Sequence, residues 1–67
     1  MLAETKMYKN FLKEKKVIII KNSFFFDNKE YFIYQDDDKS WYVEDFDKCY
    51  TKTSAIYWYM KSVLNVK

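Results

Sequence analysis

The sequence predicts an α+β fold: an N-terminal helix, a three-stranded antiparallel meander, and a C-terminal amphipathic helix packed on one sheet face. Three observations predict it. In residues 51 to 67, Ile56, Tyr59, Met60, Val63 and Leu64 fall on one face at a 3.6-residue period, with Tyr57, Lys61 and Asn65 opposite. Residues 16 to 46 are crowded with β-branched and aromatic side chains, interrupted by short polar turns. The chain has 67 residues, enough for one domain at most, so helix and sheet must share one core. The expected parts are a helix or lead-in over 1 to 15, a sheet region over 16 to 50, and a helix over 51 to 67.

The first helix is read over residues 2 to 15. Ala3, Met7, Phe11 and Leu12, with Tyr8 beside them, form a modest apolar stripe. Val17 to Ile20 are β-branched, which disfavours helix and favours strand. Asn22-Ser23 interrupts the run. One reading is a single long strand to Phe26 with a bulge near Asn22, which puts Ile18, Ile20, Phe24 and Phe26 on one face. The other is two short strands with a turn at Lys21 to Ser23. The first is preferred.

Asp27 to Lys29 is a turn. The chain has no Gly, so tight turns must use Asn or Asp. Residues 30 to 35 form the next strand, Asp36 to Lys39 the next turn, and residues 40 to 46 a further strand. Cys49-Tyr50 extends or bridges the sheet. Both faces of these strands carry large residues. Phe32 and Tyr34 oppose Tyr31 and Ile33; Trp41 and Val43 oppose Tyr42 and Phe46. The preferred core is Ile18, Ile20, Phe32, Tyr34, Tyr42, Ile56, Tyr59, Met60, Val63 and Leu64. A one-residue change of parity would invert the sheet's contribution as a whole. Ala55 and Trp58 widen the last helix's apolar side, and Thr51 or Thr53 can cap its start.

Composition excludes several chemistries. There is no His, so a histidine zinc site, a Ser-His-Asp triad and a Cys-His dyad are all impossible in one chain. Cys49 is the single cysteine, cannot form an internal disulfide, and reads as a space-filling thiol in a reducing compartment. No membrane span and no signal peptide are read, so the expected location is the cytoplasm. Glu30 and Glu44 could approach each other, but a three-stranded sheet has little room for a cleft. The chain is read as a non-enzyme without metal or cofactor. The turn Asp36-Asp37-Asp38-Lys39 lacks a calcium loop's spacing and central Gly.

Charge is unevenly spread. Residues 1 to 21 carry net +4, residues 27 to 50 net −5, and residues 51 to 67 net +3. Every basic residue is Lys. Arg, the usual bidentate reader of guanine and phosphate, is absent. Aromatics make up 22% of the chain, more than one small core hides, so a surface contact is expected. Candidate protein-contact residues are Tyr31, Ile33, Trp41 and Val43, with the acids Asp36, Asp37, Asp38, Glu44 and Asp45. Candidate phosphate-binding residues, for a nucleic-acid alternative, are Lys13, Lys15, Lys16, Lys21, Lys52 and Lys61.

The segment from 30 to 60 has one further pattern: strand, acidic turn, strand with Trp41 and Tyr42, then Tyr50, Thr51, Lys52, Ala55 and Trp58. It resembles the three-strand-plus-helix arm-binding domain of phage-type tyrosine-recombinase integrases. The resemblance implies a sheet placed in the DNA major groove through residues 30 to 34 and 41 to 45. It departs from that family where Glu30, Glu44 and Asp45 stand in place of a basic sheet, and it points to a phage or mobile-element origin more than to DNA binding.

The expected function is that of a small non-catalytic intracellular protein that binds or regulates another protein. Phage and mobile-element inhibitors of host proteins are of this kind. The expected partners are a protein and a second copy of the chain, as a homodimer, with no membrane. Nucleic-acid binding by the sheet and flanking lysines is the alternative.

Overall fold

The computed structural model describes residues 3 to 67, with side chains of the first helix described from Lys6 onward. The fold is α+β, as expected, with four strands instead of three. Helix α1 spans Ala3–Glu14. Strands β1 (Ile18–Ile19), β2 (Ser23–Phe26), β3 (Lys29–Gln35) and β4 (Trp41–Val43) follow, and helix α2 spans Lys52–Ser62. The strands lie in sequence order and every neighbouring pair is antiparallel.

The extra strand comes from a turn at Lys21 and Asn22. The preferred long strand is therefore corrected to a hairpin, with Ile18 opposite Phe25 and Ile19 opposite Phe24. The turn closes with Ile20 N–H donating to the Ser23 carbonyl at 2.9 Å. Its carbonyls are satisfied from afar: the Lys52 ammonium donates to Ile20 O at 2.8 Å and to Lys21 O at 2.9 Å. Lys52 belongs to α2, so the contact that stabilises this turn is remote in sequence.

The β2–β3 turn sets the sheet's faces. Asp27 and Asn28 both have positive φ, 53° and 65°, as a two-residue hairpin turn of the I′ kind requires. The turn pairs Phe26 with Lys29, hence Phe24 with Tyr31 and Ser23 with Phe32. Phe24, Tyr31, Ile33 and Val43 then share the inner face, and Ile33 pairs directly with Val43. All four are buried. With Leu12, Ala55, Ile56, Tyr59 and Met60 they form the core.

The expected core is thus corrected by inversion of the sheet face. Phe32 is 48% exposed, Tyr34 45% and Ile18 62%; Ile20 is also exposed and Tyr42 only half-buried. The physical reason is the company these residues keep. Glu30 and Glu44 share the parity, and so the face, of Phe32, Tyr34 and Tyr42, and an unpaired carboxylate is costly to bury. The face with Ile33 and Val43 carries no such group at its centre.

Helix α2 starts where the sequence indicates. Thr51 is its cap, accepting from Ser54 N–H at 3.1 Å, while Thr51 N–H donates to Ser54 Oγ at 3.3 Å. It ends at Ser62, before the expected Lys67. Leu64 and Val66 N–H turn back onto the Tyr59 and Met60 carbonyls, and Asn65 adopts φ 59°, a left-handed value that a short amide tolerates at a helix end. Val63 is therefore exposed, not buried, and Leu64 only half-buried.

Helix α1 packs on α2 and reaches the core through Leu12. Tyr57, expected on the polar face, is buried by it. The Tyr8 ring lies 4.4 Å from Tyr57 and Phe11 lies 5.0 Å away at 75°. Trp58 Nε1 donates to Tyr8 Oη at 3.3 Å across the same seam. Met7 of the expected stripe stays exposed, and Met1, Leu2 and the Ala3 side chain lie outside the described residues.

Candidate functional site

The two faces of the sheet end in different surroundings. The inner face lies under α2. No described element packs over the outer face, where Ile18, Phe25, Phe32, Tyr34 and Tyr42 are arranged by strand alternation. Glu30 sits in the same row system, opposite Phe25, and accepts from Ser23 Oγ at 2.7 Å. A group of large apolar side chains on a flat, carboxylate-bordered surface is the feature most unlike an ordinary solvated sheet face.

One end of this face is a shallow depression lined by Tyr34, Tyr42, Glu44 and Asp45. Tyr34 and Tyr42 are cross-strand partners and their rings stack, with centroids 5.3 Å apart and planes at 27°. Glu44 follows β4 immediately. Its φ is 54°, and its N–H donates to the Phe32 carbonyl at 3.0 Å, so its backbone is held at the sheet. Among the described residues neither Glu44 nor Asp45 forms an ion pair.

The other acids have local duties. Asp36 accepts from Asp37 N–H at 2.9 Å and pairs with the Lys48 ammonium. Asp38 accepts from Ser40 N–H at 3.0 Å. The Lys48 hydrogen bond, with Asp37 N–H, draws the Asp36 pKa below its ordinary value; the Ser40 amide does the same for Asp38. Lys48 is correspondingly raised by Asp36. The acidic turn is therefore built from side chains that stabilise their own backbone. Asp37 is exposed beside them.

The residues expected to contact a protein divide sharply. Tyr31, Ile33 and Val43 are core residues under α2, which corrects their placement at an interface. Trp41 is half-buried against the core, with the Lys52 ammonium 5.9 Å from its ring centroid, and its backbone bridges to Cys49. Glu44 and Asp45 do lie at the outer depression. The ring residues beside them, Tyr34 and Tyr42, are expected in the core and instead line the depression. The signal that identifies them as outer is their shared parity with Glu30 and Glu44.

The lysines are dispersed. Lys15 and Lys61 sit over the Phe11 ring at 5.7 and 5.0 Å, and Lys52 is bound to the β1–β2 turn. Lys13, Lys16 and Lys21 are exposed, as are Lys6 and Lys9 of α1. Cys49 is half-buried beside β4, and burial raises its thiol pKa above the ordinary value, which disfavours the reactive thiolate.

Among the described residues no group of three or more Cys, Asp or Glu side chains is placed to hold a metal ion. No described helix is long and apolar enough to cross a membrane. Comparison with protein-family models, curated proteins and solved structures finds no match.

Proposed function

We propose that this chain is a non-catalytic protein-binding module and that its contact surface is the outer sheet face. The observation that carries the reading is the exposed pair Phe32 and Tyr34, with half-buried Tyr42 beside them, opposite a face whose Phe24, Tyr31, Ile33 and Val43 are buried. Aromatic side chains held on a sheet offer large contact area at small entropic cost, and such anchors commonly dominate interface energetics. In this reading the role is regulatory or inhibitory, including one encoded by a phage or mobile element. A second copy of the chain is one partner such a face can accept.

Nucleic-acid binding is the second reading, favoured by the exposed lysines Lys6, Lys9, Lys13 and Lys16. The integrase-like arrangement would place the outer face against DNA, where Glu30 and Glu44 oppose phosphate.

The test is affinity capture from a nuclease-treated lysate of the source cell, with wild type and an Ile18→Thr/Phe32→Thr variant in parallel. Wild type is expected to retain a partner, or to sediment as a dimer, and the variant to lose either association while keeping the native circular dichroism. Equal association by both proteins overturns the reading. Random-duplex binding that weakens steeply from low to moderate salt supports the lysine surface instead.

A further inference from the structure

Resting on that reading of the outer face, we propose that the depression between Tyr34, Tyr42, Glu44 and Asp45 receives an arginine side chain of the partner protein. The depression combines two requirements for a guanidinium. The stacked pair, 5.3 Å between centroids, presents tyrosine surface on which a flat cation rests. Glu44 and Asp45 line the same depression and offer carboxylate oxygens to a donor fork.

Charge complementarity selects the occupant. Glu44 and Asp45 have no cation of their own among the described residues. Lys48 is paired with Asp36. Two uncompensated carboxylates beside exposed rings favour a cation and repel phosphate or a carboxylate. An ammonium satisfies the charge, but a guanidinium also stacks and donates through a planar fork. The chain contains no arginine. The side chain must therefore come from a different protein, which distinguishes this docking from self-association.

The position suits an anchor. Val43 is fully buried, and the Glu44 amide is fixed to the Phe32 carbonyl, so the backbone that carries Glu44 is held at the strand of the exposed Phe32. A partner that covers Phe32 passes the depression. Burial of the rings on association would exclude water around the pair and strengthen both contacts.

The experiment is an NMR titration of the full chain with acetylated, amidated Ala-Arg-Ala, compared with the same peptide carrying neutral citrulline or lysine. The arginine peptide is expected to shift the ring signals of Tyr34 and Tyr42 and the amides of Glu44 and Asp45. Its affinity should exceed that of the citrulline peptide by about tenfold, the scale of one charge-assisted contact. Glu44→Gln/Asp45→Asn, which preserves side-chain size, should abolish the difference. Absence of these shifts, equal response to citrulline or lysine, or shifts that spread to Asp36, Asp37 and Asp38 alike overturns the assignment. Capture lost in Ile18→Thr/Phe32→Thr but retained in Glu44→Gln/Asp45→Asn leaves the face as the contact surface and removes the arginine from it.

Discussion

The inner and outer faces of this sheet are made from almost the same materials. The inner face presents Phe24, Tyr31, Ile33 and Val43; the outer face presents Phe25, Phe32, Tyr34 and Tyr42. Aromatic cross-strand stacking occurs on both, at 5.1 Å for Phe24–Tyr31 and 5.3 Å for Tyr34–Tyr42. Only one face is covered. Apolar content therefore does not decide which side becomes core. What differs is the placement of carboxylates and the width of the side chains. Glu30 and Glu44 interrupt the outer face, whereas Ile33 and Val43 leave a compact aliphatic centre against which Ile56 and Met60 of α2 pack without solvent. A small domain can bury one such face and leave the other for a second molecule.

The comparison is broken most directly from inside. Phe24 is fully buried and contacts Tyr31 and Tyr59 through its ring. Phe24→Ala should cost about 3–5 kcal/mol, the range for removing a buried ring. A chain of this size has a total stability of only about 3–10 kcal/mol. The variant should be largely unfolded or marginal at room temperature by circular dichroism and urea titration. A loss below about 1 kcal/mol would show that the inner face is not the principal core.

The turn that sorts the faces is the next target. Asn28 at φ 65° uses a conformation that costs ordinary L-residues about 1–2 kcal/mol and β-branched residues at least as much. Asn28→Val should lower stability by about that amount, whereas Asn28→Gly should leave it unchanged or slightly higher. Denaturation midpoints at unchanged slope would measure both. Equal midpoints for the two variants would mean that the register is set elsewhere.

These same positions show what could be read from sequence. Asp27-Asn28 had to supply a glycine-free tight turn, and Thr51 had to cap a helix; both are local choices, visible in a few residues. The cap and the apolar Ile56, Tyr59 and Met60 stand as expected. The fourth strand is harder to read, because part of the contact to its turn comes from Lys52, some thirty residues away. Tyr57 was misplaced because α1 covers a helix face that looks polar by spacing alone. The sheet inversion had a visible clue in the parity of Glu30 and Glu44, outweighed by the size of the rings beside them. Within the candidate site Glu44 and Asp45 lie together at one depression, while Tyr34 and Tyr42, which ring size alone places in the core, line it beside them.

A smaller effect separates the faces by pH. Burial, reinforced by the charge of Glu44, raises the Tyr59 pKa above its ordinary value of 10.0. The native state therefore keeps the phenolic proton after the unfolded chain has released it. The contribution is present in full below the unfolded value and is lost as pH rises from there through the raised native value. Stability should fall on this alkaline limb, and Tyr59→Phe should flatten it, in urea midpoints compared between about pH 9 and pH 11. An identical slope in wild type and variant would show that Tyr59 does not couple folding to alkaline pH.

The smallest expected effect on stability is the most informative about function. Phe32 is central to the outer face yet half in solvent, so its removal leaves no enclosed cavity. Phe32→Thr places a β-branched, strand-favouring residue at a strand position, and should change stability by less than about 1 kcal/mol, the full span of strand propensities. Phe24→Ala and Phe32→Thr thus remove the same kind of ring from opposite sides of adjacent, paired strands. If the first unfolds the chain and the second leaves its urea midpoint nearly unchanged, the outer aromatic is not retained for folding. Association measured on the same Phe32→Thr sample then isolates its contact role, because a lost partner cannot be attributed to a lost fold. A large stability loss from Phe32→Thr would instead make the outer face part of the folding core and remove the ground for treating it as a docking surface.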